Sequence, residues 1–227
     1  AYNSFGNFAY NSVDYVYPKL VSDESIIIEA ADLGHPLLIK EKRVDNDFKI
    51  DKESFIIITG ANMAGKSNFL RTVAINIVLA NVGLPVCATK FNYRPIKLIS
   101  SMRTSDSLQN DESYFFSELK RLKFIVESLK KDTYFVILDE ILKGTNSKDK
   151  AEGSAKFVSK LVNSKSTGII ATHDLSLCEL SETYPAIENK YFDAEIVNDE
   201  LYFDYRFKNG ICQNMNASFL LRKMEII

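Results

Sequence analysis

Thr59-Gly60-Ala61-Asn62-Met63-Ala64-Gly65-Lys66-Ser67-Asn68-Phe69-Leu70 is the stretch on which the reading of this chain turns. Gly60 to Ser67 fits G-x-x-x-x-G-K-[ST] at every fixed position. The flanks fit too: the apolar run Phe55-Ile56-Ile57-Ile58 reads as a strand before the loop, and an apolar helix opens at Lys66. Gly60 and Gly65 let the backbone curl tightly around an anion. Loop N–H groups and the helix N-terminus then point at phosphates. Lys66 adds a compact positive charge, and Ser67 offers a hydroxyl to a divalent cation. Gly60, Ala61, Asn62, Met63, Ala64, Gly65, Lys66, Ser67 and Asn68 are thus the expected polyphosphate cradle.

Working outward, the β-branched run before the loop suits a strand buried on both faces, as in a parallel sheet. Tyr134 to Leu138 and Gly168 to Ala171 are runs of the same kind. Helices are expected from Lys66 to about Val82, where Gly83 and Pro85 stop it, and over Ser147 to Asn163 and Leu175 to Thr183. Another should span Glu112 to Lys130, whose Phe115, Leu119, Leu122, Val126 and Leu129 share one face. Ser25 to Glu29 and Lys97 to Met102 read as strands, and Arg43 to Lys52 as a hairpin region. Tyr191 to Val197 and Leu201 to Phe207 read as an antiparallel pair around Asn198-Asp199-Glu200. The expected fold class is therefore α/β: one domain, a mostly parallel sheet flanked by helices, with an antiparallel portion. Residues 1–22, rich in Tyr, Asn and Ser, read as an irregular lead-in, 23–212 as the core and 213–227 as a truncated helical segment. An Ala1 start and a helix-like end suggest a fragment of a longer protein.

Two further strand ends carry chemistry. Phe135-Val136-Ile137-Leu138 runs into Asp139-Glu140. Ligands of such sheets sit at the carboxyl ends of the strands, so Asp139 is the expected metal ligand beside Ser67. Glu140 is the expected general base for an attacking water. A solvated acidic turn is the bland alternative, and the loop upstream tells against it. Ile169-Ile170-Ala171 ends in Thr172-His173, where an imidazole can bond a terminal phosphate or the water; a capping role before the helix at Leu175 is the alternative. His35, in a Gly-His-Pro turn, reads as structural.

Composition narrows the classes. The 227 residues are 46% hydrophobic and 26% charged, ordinary for a folded domain, with a formal net charge of -2. A dedicated nucleic-acid module carries a basic excess, so any DNA surface is expected mostly elsewhere. Cys87, Cys178 and Cys212 are scattered and odd in number, and only two histidines occur, so zinc and disulfides are not expected. The thiols suit a reducing, cytoplasmic setting. The longest apolar helix candidate, Val73 to Leu84, is too short to span a bilayer.

Beyond the general motif, Thr59 to Leu70 resembles the phosphate loop of the MutS family, TGPNMAGKSTxxR, with Arg71 following on the helix. Asp139 to Ser147 resembles its DEIGRGTST segment, Ser113 to Glu118 its STFxxE segment, and Ala171-Thr172-His173 its ATH. Gly34-His35-Pro36 and Asn46-Asp47 are similar to an RHP turn and a PND stretch. Together the likeness covers most of residues 20–220 in the family's order. It implies a P-loop NTPase of ABC-ATPase type, with ATP or ADP and Mg²⁺ as ligands and two subunits sandwiching two nucleotides. In that arrangement Lys66, Glu140 and His173 are catalytic, and Ser67 and Asp139 hold the metal. Ser113 would reach the partner subunit's γ-phosphate in trans, and Gly144 to Ser147 would line the subunit interface. Arg43 stands where the family often has an aromatic that stacks on adenine.

Departures point to a divergent branch: Ala61 for Pro, Asn68 for Thr, Leu142-Lys143 for Gly-Arg, and Asp174-Leu175 after the histidine for Tyr-His. Phe116-Ser117-Glu118 has the spelling of the family's mismatch reader but lies in the expected ATPase core. The first reading is a homodimeric ATPase that drives a conformational change on DNA. The second is a nucleotide-gated interaction module with little turnover and a non-DNA role. A transporter-type ATPase would need an LSGGQ-like signature, which the sequence lacks.

Overall fold

A computed structural model describes residues 2–61, 63–102, 114–197 and 200–213. In chain order the elements are α1 (Tyr2–Asn11), β1 (Lys19–Leu20), β2 (Ile26–Leu33), a 3-10 turn (Lys40–Lys42), β3 (Asn46–Asp51), β4 (Phe55–Gly60), α2 (Lys66–Asn81), β5 (Lys90–Tyr93), β6 (Lys97–Ser101), α3 (Tyr114–Leu129), β7 (Tyr134–Asp139), α4 (Ser147–Asn163), β8 (Thr167–Ala171), a 3-10 turn (Leu175–Glu179), α5 (Leu180–Thr183), β9 (Ile187–Phe192), β10 (Glu195–Val197), β11 (Glu200–Tyr202) and β12 (Lys208–Asn209). The main sheet runs β12-β9-β4-β8-β7-β6, parallel from β9 through β6, with β12 antiparallel at the edge. A second sheet runs β1-β5-β2-β3 with antiparallel pairing at its centre. The chain is thus a mixed α/β fold with one mostly parallel and one mostly antiparallel sheet.

The apolar run Phe55-Ile56-Ile57-Ile58 is buried throughout because both faces of β4 are covered. Strand alternation sends its side chains into two cores. Ile56 and Ile58 pack with α2 residues Leu70, Val73 and Ile77 and with Ile28 and Phe48 of the second sheet. Phe55 and Ile57 pack with Ile125 of α3 and Val158 and Leu161 of α4. β7 divides the same way: Phe135 and Ile137 face the first core, Val136 and Leu138 the second.

An aromatic group under the start of α2 fixes that helix against both sheets. Phe69 stacks on Phe207 with centroids 4.4 Å apart and packs against Phe48 and Phe192 at 5.6 and 5.5 Å. Further along, fully buried Asn76 donates from Nδ2 to the carbonyls of Gly34 and Thr72, and its Oδ1 accepts from the Cys87 N–H at 2.8 Å. Replacing Asn76 by Ala leaves that N–H buried without its acceptor. We expect denaturant unfolding to show a loss of about 2–3 kcal/mol, with the slope of the transition unchanged.

Three sequence expectations change. Part of the lead-in is helical, over Tyr2–Asn11. Tyr191 belongs to β9, a strand parallel to β4, so the hairpin shrinks to Glu195–Val197 against Glu200–Tyr202. Arg43 to Lys52 yields a single strand, β3, whose antiparallel partner is β2. The helix expected beyond Gln213 lies outside the described residues. Cys87, Cys178 and Cys212 are buried and not disulfide-bonded. Among the described residues no helix is long and apolar enough to cross a membrane.

Candidate functional site

Parallel pairing brings the carboxyl ends of β4, β8 and β7 side by side. The ladder continues past the strands: Thr172 N–H donates to the Ile58 carbonyl and Glu140 N–H to the Ala171 carbonyl, both at 2.9 Å. The residues that follow each strand therefore open onto one cleft of about 530 Å³. Lys66, Ser67, Asp139, Glu140 and His173 all line it, as do Lys143 and Arg71.

The glycine loop turns out of β4 at Gly60, whose φ is +142°. A Cβ there would lie 2.3 Å from the Phe192 carbonyl oxygen, so β9 approaches too closely for any side chain. The loop enters α2 through Gly65, φ +103°. The α2 N-terminus thus faces the cleft with its unpaired N–H groups. Buried Lys66 spans the loop, its ammonium donating to the carbonyls of Gly60 at 2.7 Å and Ala61 at 2.9 Å, with His173 Nε2 3.4 Å away. Burial lowers its pKa to about 8, against the opposing pull of Glu140 and Asp139. Ala61, Met63 and Asn68 line the cleft, Ala64 is buried beneath it, and Asn62 lies outside the described residues.

Side-chain parity in β7 turns Asp139 to the same face as Phe135 and Ile137, toward α2. There Ser67 Oγ donates to Asp139 Oδ1 at 3.1 Å. A hydroxyl and a carboxylate at this spacing form an oxygen set suited to a hard divalent cation such as Mg²⁺, which keeps other positions for phosphate and water. Among the described residues no group of three or more His, Cys, Asp or Glu side chains is placed to hold a metal ion.

Glu140 follows with a φ of +49°, and Leu142 with +59°. Left-handed conformations at non-glycine residues cost about 1–3 kcal/mol each. Both oxygens of Glu140 are engaged: Oε1 with His173 Nε2 at 2.6 Å and Oε2 with Lys143 Nζ at 2.9 Å. The His173 contact is the main force holding the Glu140 carboxyl well below the usual carboxylate range. Lys143 adds to it, and burial works in the opposite direction.

Arg43 is held by a neighbouring carboxylate. Its guanidinium forks onto Asp45, with Nε 2.5 Å from Oδ1 and Nη2 3.0 Å from Oδ2, and packs under Gly34, away from the cleft lining. The aromatic ring beside the loop is instead Tyr205, close enough that its Cδ1 would lie 3.0 Å from a Cβ on Gly65. Asn46 places it, donating to the Tyr205 carbonyl at 3.0 Å and accepting from Phe207 N–H at 2.8 Å. No local pattern in the sequence marks a contact across that separation. Ser113 lies outside the described residues. Asn146 caps α4, its side chain accepting from Asp149 N–H at 2.9 Å. His35 is structural, its Nδ1 accepting from Leu37 N–H at 3.2 Å.

Comparison with known proteins agrees with this geometry. Residues 56–222 match the family model for MutS domain V. The chain is 28% identical over 214 residues to human MutS protein homolog 4, covering 89% of this chain and 22% of that protein. Against DNA mismatch repair protein MSH4 of Arabidopsis thaliana it is 28% identical over 214 residues, covering 92% and 27%. Against DNA mismatch repair protein MutS of Thermotoga maritima the identity is 28% over 215 residues, again 92% and 27%. The chain spans about a quarter of the length of these relatives. The model match runs from β4 past β12 and so takes in every strand end that builds the cleft: the chain belongs to the MutS family.

Proposed function

We propose that this chain is a P-loop ATPase domain of ABC type, which binds ATP with Mg²⁺ and hydrolyses it as one half of a two-subunit site. The observation that carries this reading is the convergence on one cleft of Lys66, the Ser67–Asp139 pair and the Glu140–His173 pair. Each group has a distinct task. Loop N–H groups and Lys66 hold the β- and γ-phosphates. Ser67 and Asp139 hold Mg²⁺, which supplies charge neutralisation across the phosphates. Glu140 accepts a proton on its carboxylate from the water that attacks the γ-phosphorus, and His173 orients Glu140 and the terminal phosphate. ADP and inorganic phosphate are the products. Tyr205 offers an aromatic face beside the loop for the base.

The names of the relatives carry mismatch repair, and we extend that to this chain only as a role in DNA metabolism. A homodimer closing around nucleotide would pull on DNA held by other parts of a longer protein, since these 227 residues have a net charge of -2. One observation favours the second reading, a nucleotide-gated interaction module with little turnover: both oxygens of the expected base are already taken.

The test is the ATPase rate per chain against protein concentration, with and without DNA in low salt. A rate that climbs with concentration and responds to DNA supports the dimeric motor. Tight ATP binding with a flat, negligible rate favours the module, and no Mg²⁺-dependent nucleotide binding at all sinks both.

A further inference from the structure

Glu118 sits on α3, four residues inside a helix whose buried face packs on β6 and the second core. Its carboxylate points at neither a cation nor solvent alone. Oε1 accepts the Leu142 N–H at 2.6 Å and Oε2 the Lys143 N–H at 3.3 Å. These two amides belong to the turn that leaves the acid pair, where the backbone is left-handed at Glu140 and again at Leu142. Such a turn holds only if its surroundings fix it. The Leu142 side chain is buried and seated on α4, so close that a Cβ on Gly153 would lie 2.7 Å from its Cδ1. Gly144 closes the other side, for a Cβ there would lie 2.7 Å from Phe115 Cβ on α3. α3 therefore meets the turn twice, through the Glu118 carboxylate and through Phe115.

We infer that Glu118 is a positioning residue, which fixes the backbone of residues 141–144 so that Glu140 and Lys143 are presented together to the cleft. The carboxylate grips two successive amides on the turn, and Lys143, whose own N–H is one of them, sends its ammonium back to Glu140 Oε2. Any displacement of α3 is thereby transmitted to the base. Glu118 touches no reacting group, so it acts through Glu140. Its consequence for hydrolysis rests on the ATPase reading above; its consequence for the turn does not.

The experiment compares the 227-residue chain with Glu118→Ala and Glu118→Gln. Without nucleotide, NMR follows amide exchange at Leu142 and Lys143. With nucleotide, ATP affinity and single-turnover hydrolysis are measured separately. Glu118→Ala is expected to unprotect both amides and to slow hydrolysis by about 10²-fold with affinity within about threefold of the parent. Glu118→Gln should fall between, because its NH₂ group puts a donor where one of the two accepting oxygens stood, so one N–H loses its acceptor. Unchanged amide protection and rate in Glu118→Ala would overturn the inference. Parallel loss of affinity, rate and melting temperature in both variants would also overturn it, reducing Glu118 to a fold contact. If Glu118→Ala fails to fold, the Gln variant decides by the same readouts. A parent that binds ATP without hydrolysing it removes the ATPase reading, and protection of the Leu142 and Lys143 amides alone then judges Glu118.

Discussion

Glu140→Gln is expected to abolish turnover while leaving ATP bound. The amide keeps the shape of the side chain but cannot take a proton from water. Loss of a general base costs about 10²–10⁴-fold in rate. Affinity should hold or improve, because the variant removes one negative charge from a cleft that must receive a polyphosphate, and His173 and Lys143 lose the carboxylate that now occupies them. With both halves loaded and unable to turn over, the dimer should persist on size exclusion in ATP and fall apart in ADP. Hydrolysis at the parent rate would remove Glu140 from the chemistry. The low Glu140 pKa, set first by the His173 contact, has a kinetic corollary. A carboxylate held so far below neutrality is a weak base until that contact loosens. Acid should also weaken the fold here: the folded value lies below the unfolded one of about 4.3, so the stabilisation is complete above that pH and is lost as pH falls through the folded pKa. Acid unfolding of Glu140→Gln should lack that component.

Lys66→Ala is expected to remove nucleotide binding. In the free protein the ammonium already satisfies the Gly60 and Ala61 carbonyls, and binding exchanges these for phosphate oxygens. Charge-assisted hydrogen bonds contribute about 1.5–3 kcal/mol each, so losing two should weaken ATP by about 10²–10⁴-fold in titration calorimetry. The direction with pH follows from the lowered Lys66 pKa of about 8. Above that pH the free protein must first take up a proton, so affinity should fall toward about tenfold per pH unit and calorimetry should register proton uptake. An Ala variant that binds as the parent does would place the ligand elsewhere. The variant's fold should survive, since the lysine's removal relieves the burial of a charge.

The strands that build the cleft were legible because burial on both faces writes itself as unbroken apolar runs, as in Phe55 to Ile58 and Phe135 to Leu138. The loop and the acid pair were legible because their chemistry is local. β9 was not: its Glu188, Asn189 and Lys190 read as polar, yet they pair along β4 near the sheet edge. The second sheet depends on pairings such as Lys19 with Asn92 and Ile28 with Tyr93, which no short window contains. Tyr2–Asn11 carries a Gly and several Asn and Ser, poor helix formers that read as loop. The pairing of Arg43 with Asp45 was not read in the sequence, where only the resemblance spoke for Arg43. The hold of Glu118 on the turn beside the cleft was not legible because its two partners come from beyond β7.

At the end of β7 the place each acid takes, Asp139 by strand parity and Glu140 in the left-handed turn that follows, separates the partner of Ser67 from the partner of His173. Deleting one residue between Phe135 and Leu138 would slide the acids along the strand by half a pleat repeat. The aspartate would then turn toward the α3 and α4 layer, and the glutamate would inherit the place opposite the serine. Both carboxylates would survive in the sequence with their jobs exchanged and neither job done, so the frame of this strand is under tighter constraint than the letters at its end.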